Sequence, residues 1–498
     1  MVPPASVGLK GAAFIGVLWS LAQAWGVRII TLLHFIIIAR LLEPSDLGVI
    51  AFAATIVACL STLVDQGMTT IVEGTVNHDE ITLDSAWWAT VVASLLVCAG
   101  IVIATPALVQ WTGKGYLGAL LPVLSITVVL SATSAIQLAL LKARFLHRSI
   151  AIAFLVGNAA GAATGIACAV AGWAYWALVA KALVEGALIS ALLVWLSPWK
   201  PRLQFKAEAW LGLLRKSRPV IGMRLLDIVN QRLDALLIGA RLGATALGLY
   251  STGQRIYQIV LEVLFSAVNQ VSLPIFSRFS NQPGRAAEIL LRLVSCTSLL
   301  TFPAFALMSA TAIDMTAVVF GDKWRASGPV LSVFAIGGIL FSVSYFNAPL
   351  LMASGRAKQL FWLGVLNAVG NTIGFLIAVP FGAVAVAAAF VIRGFLVYPV
   401  NLYLLREACG MSIARYARAL WPAAASSALA AIAAWACGAE LAHWSSAARL
   451  LCTLGVGVGV YALSIVSLFR TEAYSAVTEV LGMVKAARAP GLLKNLET

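Results

Sequence analysis

Charge is what this chain has least of. Only 11% of its 498 residues are Asp, Glu, Lys or Arg, while 61% are hydrophobic; an ordinary soluble domain is about 25% charged. Histidine is also scarce. The four (His34, His78, His147, His443) form no HExxH or other metal-ligand spacing, which argues against a metal centre. The seven cysteines lie mostly inside apolar runs and never as CxxC, so they read as packing residues, not as a disulfide framework or zinc site. Missing too are the ten-residue alternating segments of a membrane barrel. From Gly11 to Phe469 long apolar runs follow one another instead. In lipid only a helix or a closed barrel satisfies its own backbone, so runs of about 20 apolar residues specify an all-α polytopic membrane protein.

The first run, Gly11 to Ala39, exceeds the 7–15 residues of a secretory signal core, and no small-residue cleavage site follows it. It is expected to stay as the first membrane helix. Dividing the runs at Pro, Gly and charge clusters gives about fourteen transmembrane helices. Their spans are 11–40, 46–75, 85–110, 117–143, 149–171, 174–196, 219–242, 246–276, 289–320, 327–354, 359–380, 382–405, 416–437 and 445–469. The net charge of +14 is scattered over many short loops, which does not point to nucleic acid. Most of it falls on one side, with Lys142, Arg144 and Arg148, the run from Lys200 to Arg218, then Arg356, Lys358, Arg406, Arg415, Arg418 and the tail. The other side holds only Arg40, Lys114, Arg241, Lys323, Arg325 and Arg449. The positive-inside rule then puts both termini in the cytoplasm. All outer loops are short, which argues against a membrane glycosyltransferase or polymerase carrying a catalytic loop.

The chain also repeats itself. Ile38-Ala39-Arg40-Leu41 and Leu47-Gly48 recur as Gly239-Ala240-Arg241-Leu242 and Leu247-Gly248. Pro122-Val123-Leu124-Ser125 matches Pro329-Val330-Leu331-Ser332. Asn158, Gly161 and Gly165 match Asn367, Gly370 and Gly374. Three collinear matches mark a parallel repeat of two six-helix lobes, the organisation of a transporter. The expected division is an N-lobe at 1–205, a C-lobe at 206–410, an extra helix pair at 411–470 and a cytoplasmic tail at 471–498.

Against this apolar background the internal charges stand out. Arg224, Asp227, Gln231 and Asp234 occupy one arc of about 80° on the seventh span, with Arg232 on its flank. Ser251, Arg255, Gln258, Glu262 and Asn269 share a face of the eighth. A charge at mid-membrane costs roughly 2.5–3.5 kcal/mol on insertion scales, so these rows face water or each other. Local pairing of Arg224 with Asp227, and of Arg255 with Glu262, is the structural alternative to a wet cavity lining. Lys181 and Glu185 stand i, i+4 apart and are expected to neutralise one another. Arg28 and Arg393 have no acid within a turn; guanidinium stays ionised and grips phosphate in a two-pronged fashion, so both are candidates for meeting a mobile anion. Candidate substrate-binding residues are thus Arg28, Arg224, Gln231, Arg232, Arg255, Gln258 and Arg393. Asp65, Asp227, Asp234 and Glu262 are the carboxylates available to a coupling proton or sodium ion. No other cofactor is indicated. Most tryptophans, among them Trp87, Trp88, Trp111, Trp195, Trp199, Trp421 and Trp444, sit near span ends, as an interfacial belt would place them.

The segment ARLLEPSDLG (Ala39 to Gly48) followed by Asp65-Gln66-Gly67 resembles the opening of Wzx-type polysaccharide flippases. GWAYWAL (Gly172 to Leu178) and QRLDALLIGARLGATALGLY (Gln231 to Tyr250), with Pro274 downstream, resemble the same family, in the same order over essentially the whole chain. That resemblance implies the fold of the multidrug/oligosaccharidyl-lipid/polysaccharide exporters: two six-helix lobes in a V, plus two C-terminal helices. It implies transport, not enzymatic catalysis, of an undecaprenyl-diphosphate-linked oligosaccharide from the cytoplasmic to the periplasmic leaflet of a bacterial inner membrane. The lipid bilayer and a polysaccharide polymerase or export assembly are the partners it suggests. A lipid-linked peptidoglycan-precursor flippase and a multidrug or cation antiporter of the same superfamily are the alternatives. The five internal arginines argue against the antiporter.

Overall fold

A computed structural model describes residues 9–65, 68–73, 79–279 and 282–469. The described chain is helical throughout. In order the helices are α1 (Leu9–Leu41), α2 (Pro44–Asp65), the short α3 (Met68–Glu73), α4 (Glu80–Thr112), α5 (Leu117–Ala143), α6 (His147–Val170), α7 (Trp176–Leu196) and α8 (Ala207–Arg241). There follow α9 (Ala244–Arg278), α10 (Pro283–Phe320), α11 (Gly328–Ser344), α12 (Asn347–Ala353), α13 (Ala357–Ala378), α14 (Ala383–Cys409), α15 (Ile413–Glu440) and α16 (Ser446–Leu468).

Among the described residues twelve segments are long and apolar enough to cross a membrane. The protein is therefore a multi-pass membrane protein. The two long helices outside that set are α8 and α9. At 35 residues each they exceed the ~30 Å of a bilayer core, and it is their charged and amide side chains that lower their apolarity. Within the expected 46–75 span, residues 66–67 and 74–75 lie outside the described residues. The expected 327–354 span bends after Ser344 into α11 and α12. Left-handed glycines end α4 and α14. Gly113 (φ 68°) and Gly410 (φ 70°) turn their N–H back onto Val109 O and Arg406 O, each at 2.8 Å, which satisfies a last-turn carbonyl.

The chain resolves into two compact units, Met1–Gly248 and Leu249–Thr498. In the first, α6 packs against α1 and α7, α5 against α4 and α7, and α2 against α4, α5 and α8. The α6 surface is made of glycines: a Cβ on Gly161 would sit 2.7 Å from Glu185 Cβ, and one on Gly165 would sit 2.9 Å from His34 Cε1. His34 is accordingly buried. In the second unit α10 is central, flanked by α11, α15 and α16, while α14 packs on α11 and α13. The last pair is fixed to α10 by Tyr461, whose hydroxyl donates to Leu299 O at 2.6 Å, and by a two-pronged Arg449–Asp314 ion pair.

The basic connection after α7 is shorter than the sequence suggests, because α8 already begins at Ala207. It is also strapped to α4. Arg202 N donates to Asp84 Oδ1 (3.0 Å), Lys206 N to Ser85 Oγ (2.9 Å) and Trp88 Nε1 to Arg202 O (2.9 Å). Trp199 departs from the expected interfacial belt: it is 8% exposed and packs with Val72, Leu83 and Ala139. Trp111, Trp195, Trp421 and Trp444 are exposed near helix ends, as a belt requires.

Candidate functional site

An isolated cation inside an apolar helix must be held by something, and Arg393 on α14 shows how. Its Nε donates to Asn371 Oδ1 at 2.8 Å and its Nη1 to Asn367 Oδ1 at 2.5 Å, two amides one turn apart on α13. The guanidinium carbon lies 4.8 Å from the ring centroid of Phe390, and that ring packs on Phe334 and Phe341. Gly370 makes room: a Cβ there would come within 2.9 Å of Arg393 Cγ. Among the described residues no carboxylate pairs with Arg393 and none of its hydrogen bonds uses Nη2. The charge is oriented but not neutralised.

The equivalent place in the first unit is built differently. There Gly161 faces Lys181 and Glu185, which pair with each other at 2.5 Å, as their i, i+4 spacing implies. A glycine on α6 and another on α13 thus each admit a charged residue from the following helix. The first unit cancels that charge internally, and the second leaves it open.

The other candidates divide by unit. In the first, Arg28 is partly buried with its guanidinium 5.9 Å from the Trp25 ring centroid. On α8, Asp227, Gln231 and Arg232 are exposed, whereas Asp234 is 4% exposed with Oδ1 accepting from Ala235 N at 2.7 Å. The row predicted for this helix therefore has open members and an inward one. The side chains of Arg224 and Asp65 lie outside the described residues. In the second unit Arg255 is partly buried, and Gln258 and Glu262 are exposed on α9.

Sequence reasoning passed over three features. Asn367 and Asn371 are the clamp on Arg393; two asparagines one turn apart in an apolar span were the available signal. Asp314, inside the span that became α10, was not noticed, nor was its pairing with Arg449. Asp84, fully buried at the start of α4, anchors the basic connection by accepting from the backbone N–H of Arg202.

Comparison with known proteins fits this architecture. The family model for polysaccharide biosynthesis proteins matches residues 37–329. The chain belongs to that family. Over 367 residues this polysaccharide biosynthesis protein is 27% identical to the succinoglycan biosynthesis transport protein ExoT of Rhizobium meliloti (strain 1021), spanning 74% of this chain and 73% of that one. Over 427 residues it is 21% identical to the lipopolysaccharide biosynthesis protein WzxC of Escherichia coli (strain K12), spanning 83% and 85%. In fold it is similar to the lipid II flippase MurJ in an inward closed conformation, with TM-score 0.74, 14% identity, and 91% of this chain and 99% of that one covered. An inward-facing multidrug resistance MATE family transporter of the MOP superfamily also matches, with TM-score 0.59, 14% identity, and 79% and 94% covered. The fold of this polysaccharide biosynthesis protein is the one shared by MurJ and the MATE transporter of the MOP superfamily.

Proposed function

We propose that the protein moves an undecaprenyl-diphosphate-linked oligosaccharide repeat unit from the cytoplasmic to the periplasmic leaflet of a bacterial inner membrane by alternating access, for export of a surface polysaccharide. Hydroxyls and charges keep such a headgroup from crossing hydrocarbon unaided, while its polyprenyl tail remains in lipid. On this reading α8 and α9 also cross, completing fourteen spans with both termini cytoplasmic. Arg28, Arg224, Arg232, Arg255 and Arg393 receive the anionic diphosphate or an acidic sugar, with Gln231 and Gln258 beside them. Asp65, Asp227, Asp234 and Glu262 are the groups that an ion-coupled cycle would protonate or load with sodium. A polysaccharide polymerase or export assembly is the expected recipient.

The observation that carries the reading is Arg393. A guanidinium in an apolar helix, clamped by two amide oxygens with Nη2 uncommitted, has the geometry of a pre-oriented anion receptor. The open positions of Asp227, Gln231, Arg232, Gln258 and Glu262 add support, since the same side chains set against acyl chains would each cost several kcal/mol. Reconstitution in liposomes with a lipid-linked oligosaccharide tests the proposal, comparing the natural protein with Arg→Ala changes at positions 28, 224, 255 and 393. Translocation is expected to fall in these variants; unchanged rates in all four would remove the anion-receiving role.

A further inference from the structure

The first unit contains a chamber that has no arginine among its described lining residues. It has a volume of about 660 Å³, within the 300–1,000 Å³ of small-molecule sites, and is walled by α2 through α7. Its lining runs along α5 from Thr127 to Lys142, fifteen residue-to-residue steps and so about 22 Å of helix rise. Eight of its eighteen lining residues are Ser or Thr, and six of these share a chemical state. Ser61 and Thr62 donate to Ala58 O (2.9 and 3.1 Å), Thr90 to Ala86 O (2.8 Å), Thr127 to Leu124 O (2.6 Å), Ser131 to Val128 O (2.9 Å) and Ser190 to Leu130 O (2.5 Å). Each of these six hydroxyl protons is committed to a backbone carbonyl, so these side chains turn oxygen lone pairs to the chamber.

The charge balance is equally specific. Among the described residues Glu73 and Lys142 are the charged groups on the wall, and they pair with each other at 2.8 Å. The described wall therefore carries no net charge to hold a free ion of either sign. A ligand that brings many hydrogen-bond donors and no charge does fit. Phe154 supplies an apolar face. A second cavity of about 410 Å³ shares Leu138, Lys142 and Phe154 with the first and adds Ser20, Gln23 and His147. The Lys142 end is therefore a polar vestibule, where Ser20 Oγ and His147 Nδ1 lie 3.0 Å apart.

We propose that this hydroxyl-lined chamber binds a neutral, polyhydroxylated sugar residue. It deepens the flippase reading and rests on it: uncharged sugars of the oligosaccharide would be held here, apart from the arginines that meet the anionic group.

Equilibrium dialysis of the full chain in lipid nanodiscs tests this with methyl α-glucoside and methyl α-galactoside, and in parallel with glucuronate, sodium ion and inorganic pyrophosphate. A neutral glycoside is expected to bind. Thr90→Val and Thr127→Val, which keep shape and remove an acceptor oxygen, should weaken it at least tenfold, and Ser131→Leu, which fills the chamber, should abolish it. An unchanged unfolding temperature in each of these variants shows that it still folds. Binding of neither glycoside, or equal binding by the natural protein and all three altered chains, overturns the proposal; so does sodium competing with the sugar. Pyrophosphate affinity should ignore these changes and fall in Arg393→Ala. Loss of sugar binding without any Arg393 effect on pyrophosphate would sink the anion reading alone, and the converse would sink the sugar chamber alone.

Discussion

Gly48 and Gly248, equivalent positions of the internal repeat, lie against each other with backbone on backbone. A Cβ on Gly48 would overlap the carbonyl oxygen of Ala244, and one on Gly248 would overlap that of Pro44. No side chain can be moved aside there, because the obstacle is main chain on both sides. The Leu-Gly repeat noted in the sequence is thus a close approach of α2 and the first turn of α9, and its glycines are fixed by space.

Gly48→Ala and Gly248→Ala should each destabilise the protein by about 1–3 kcal/mol, the range for forcing a methyl group into a packed site. Thermal unfolding in detergent checks this. Gly364→Ala is the control: a Cβ there meets open space, and removing a helical glycine should be neutral or mildly stabilising. Equal unfolding temperatures for all three variants would refute the packing assignment.

The clamp on Arg393 yields a separate prediction. Hydrogen bonds to a charged group are worth about 1.5–3 kcal/mol, so losing one anchor should loosen the guanidinium's orientation while keeping its charge. Asn371→Leu is expected to weaken pyrophosphate binding by about tenfold, the factor that corresponds to roughly 1.4 kcal/mol. Arg393→Ala should weaken it further. Arg393→Lys should recover only part, since an ammonium cannot serve two amide oxygens and a phosphate in one plane. Full recovery by lysine would show that charge alone matters.

What the sequence made legible follows from the range of each interaction. The helices are readable because a bilayer demands long apolar runs, and the Lys181–Glu185 pair is readable because its partners are one turn apart. Asn371 lies 22 residues from Arg393 and Asp314 lies 135 from Arg449, so neither pairing has a local signature. The turn strapped by Asp84 and Ser85 is invisible for the same reason, since its acceptors sit more than a hundred residues upstream. Asp234 was grouped with Asp227 and Gln231 by helical angle alone; angle does not say which neighbour covers that side, and the structure buries it.

The Asp314–Arg449 pair, with side chains 12% and 15% exposed, should behave as a buried bridge. Removing one partner strands the other, which costs about 3–5 kcal/mol, whereas replacing both with apolar groups of similar size is often neutral. Asp314→Leu and Arg449→Met are each expected to lower the unfolding temperature strongly, and the double variant should lie well above either single one. Additive losses would mean the pair holds α16 to α10 through separate contacts.

The energy source also has a testable bound. One elementary charge crossing 100 mV is worth about 2.3 kcal/mol, so a dianionic diphosphate moving outward from a negative interior gains about 4–5 kcal/mol. That gain corresponds to a distribution ratio above a thousandfold, enough to drive the proposed step without a coupled ion. Proteoliposomes with the potential set by potassium and valinomycin separate the two cases. If potential suffices, net translocation should rise steeply with an outward driving potential and vanish at zero, whatever the proton or sodium gradient, and neutralising Glu262 or Asp227 should leave the voltage response intact. Net flux that survives a clamped zero potential under an imposed proton or sodium gradient would instead assign those carboxylates to coupling.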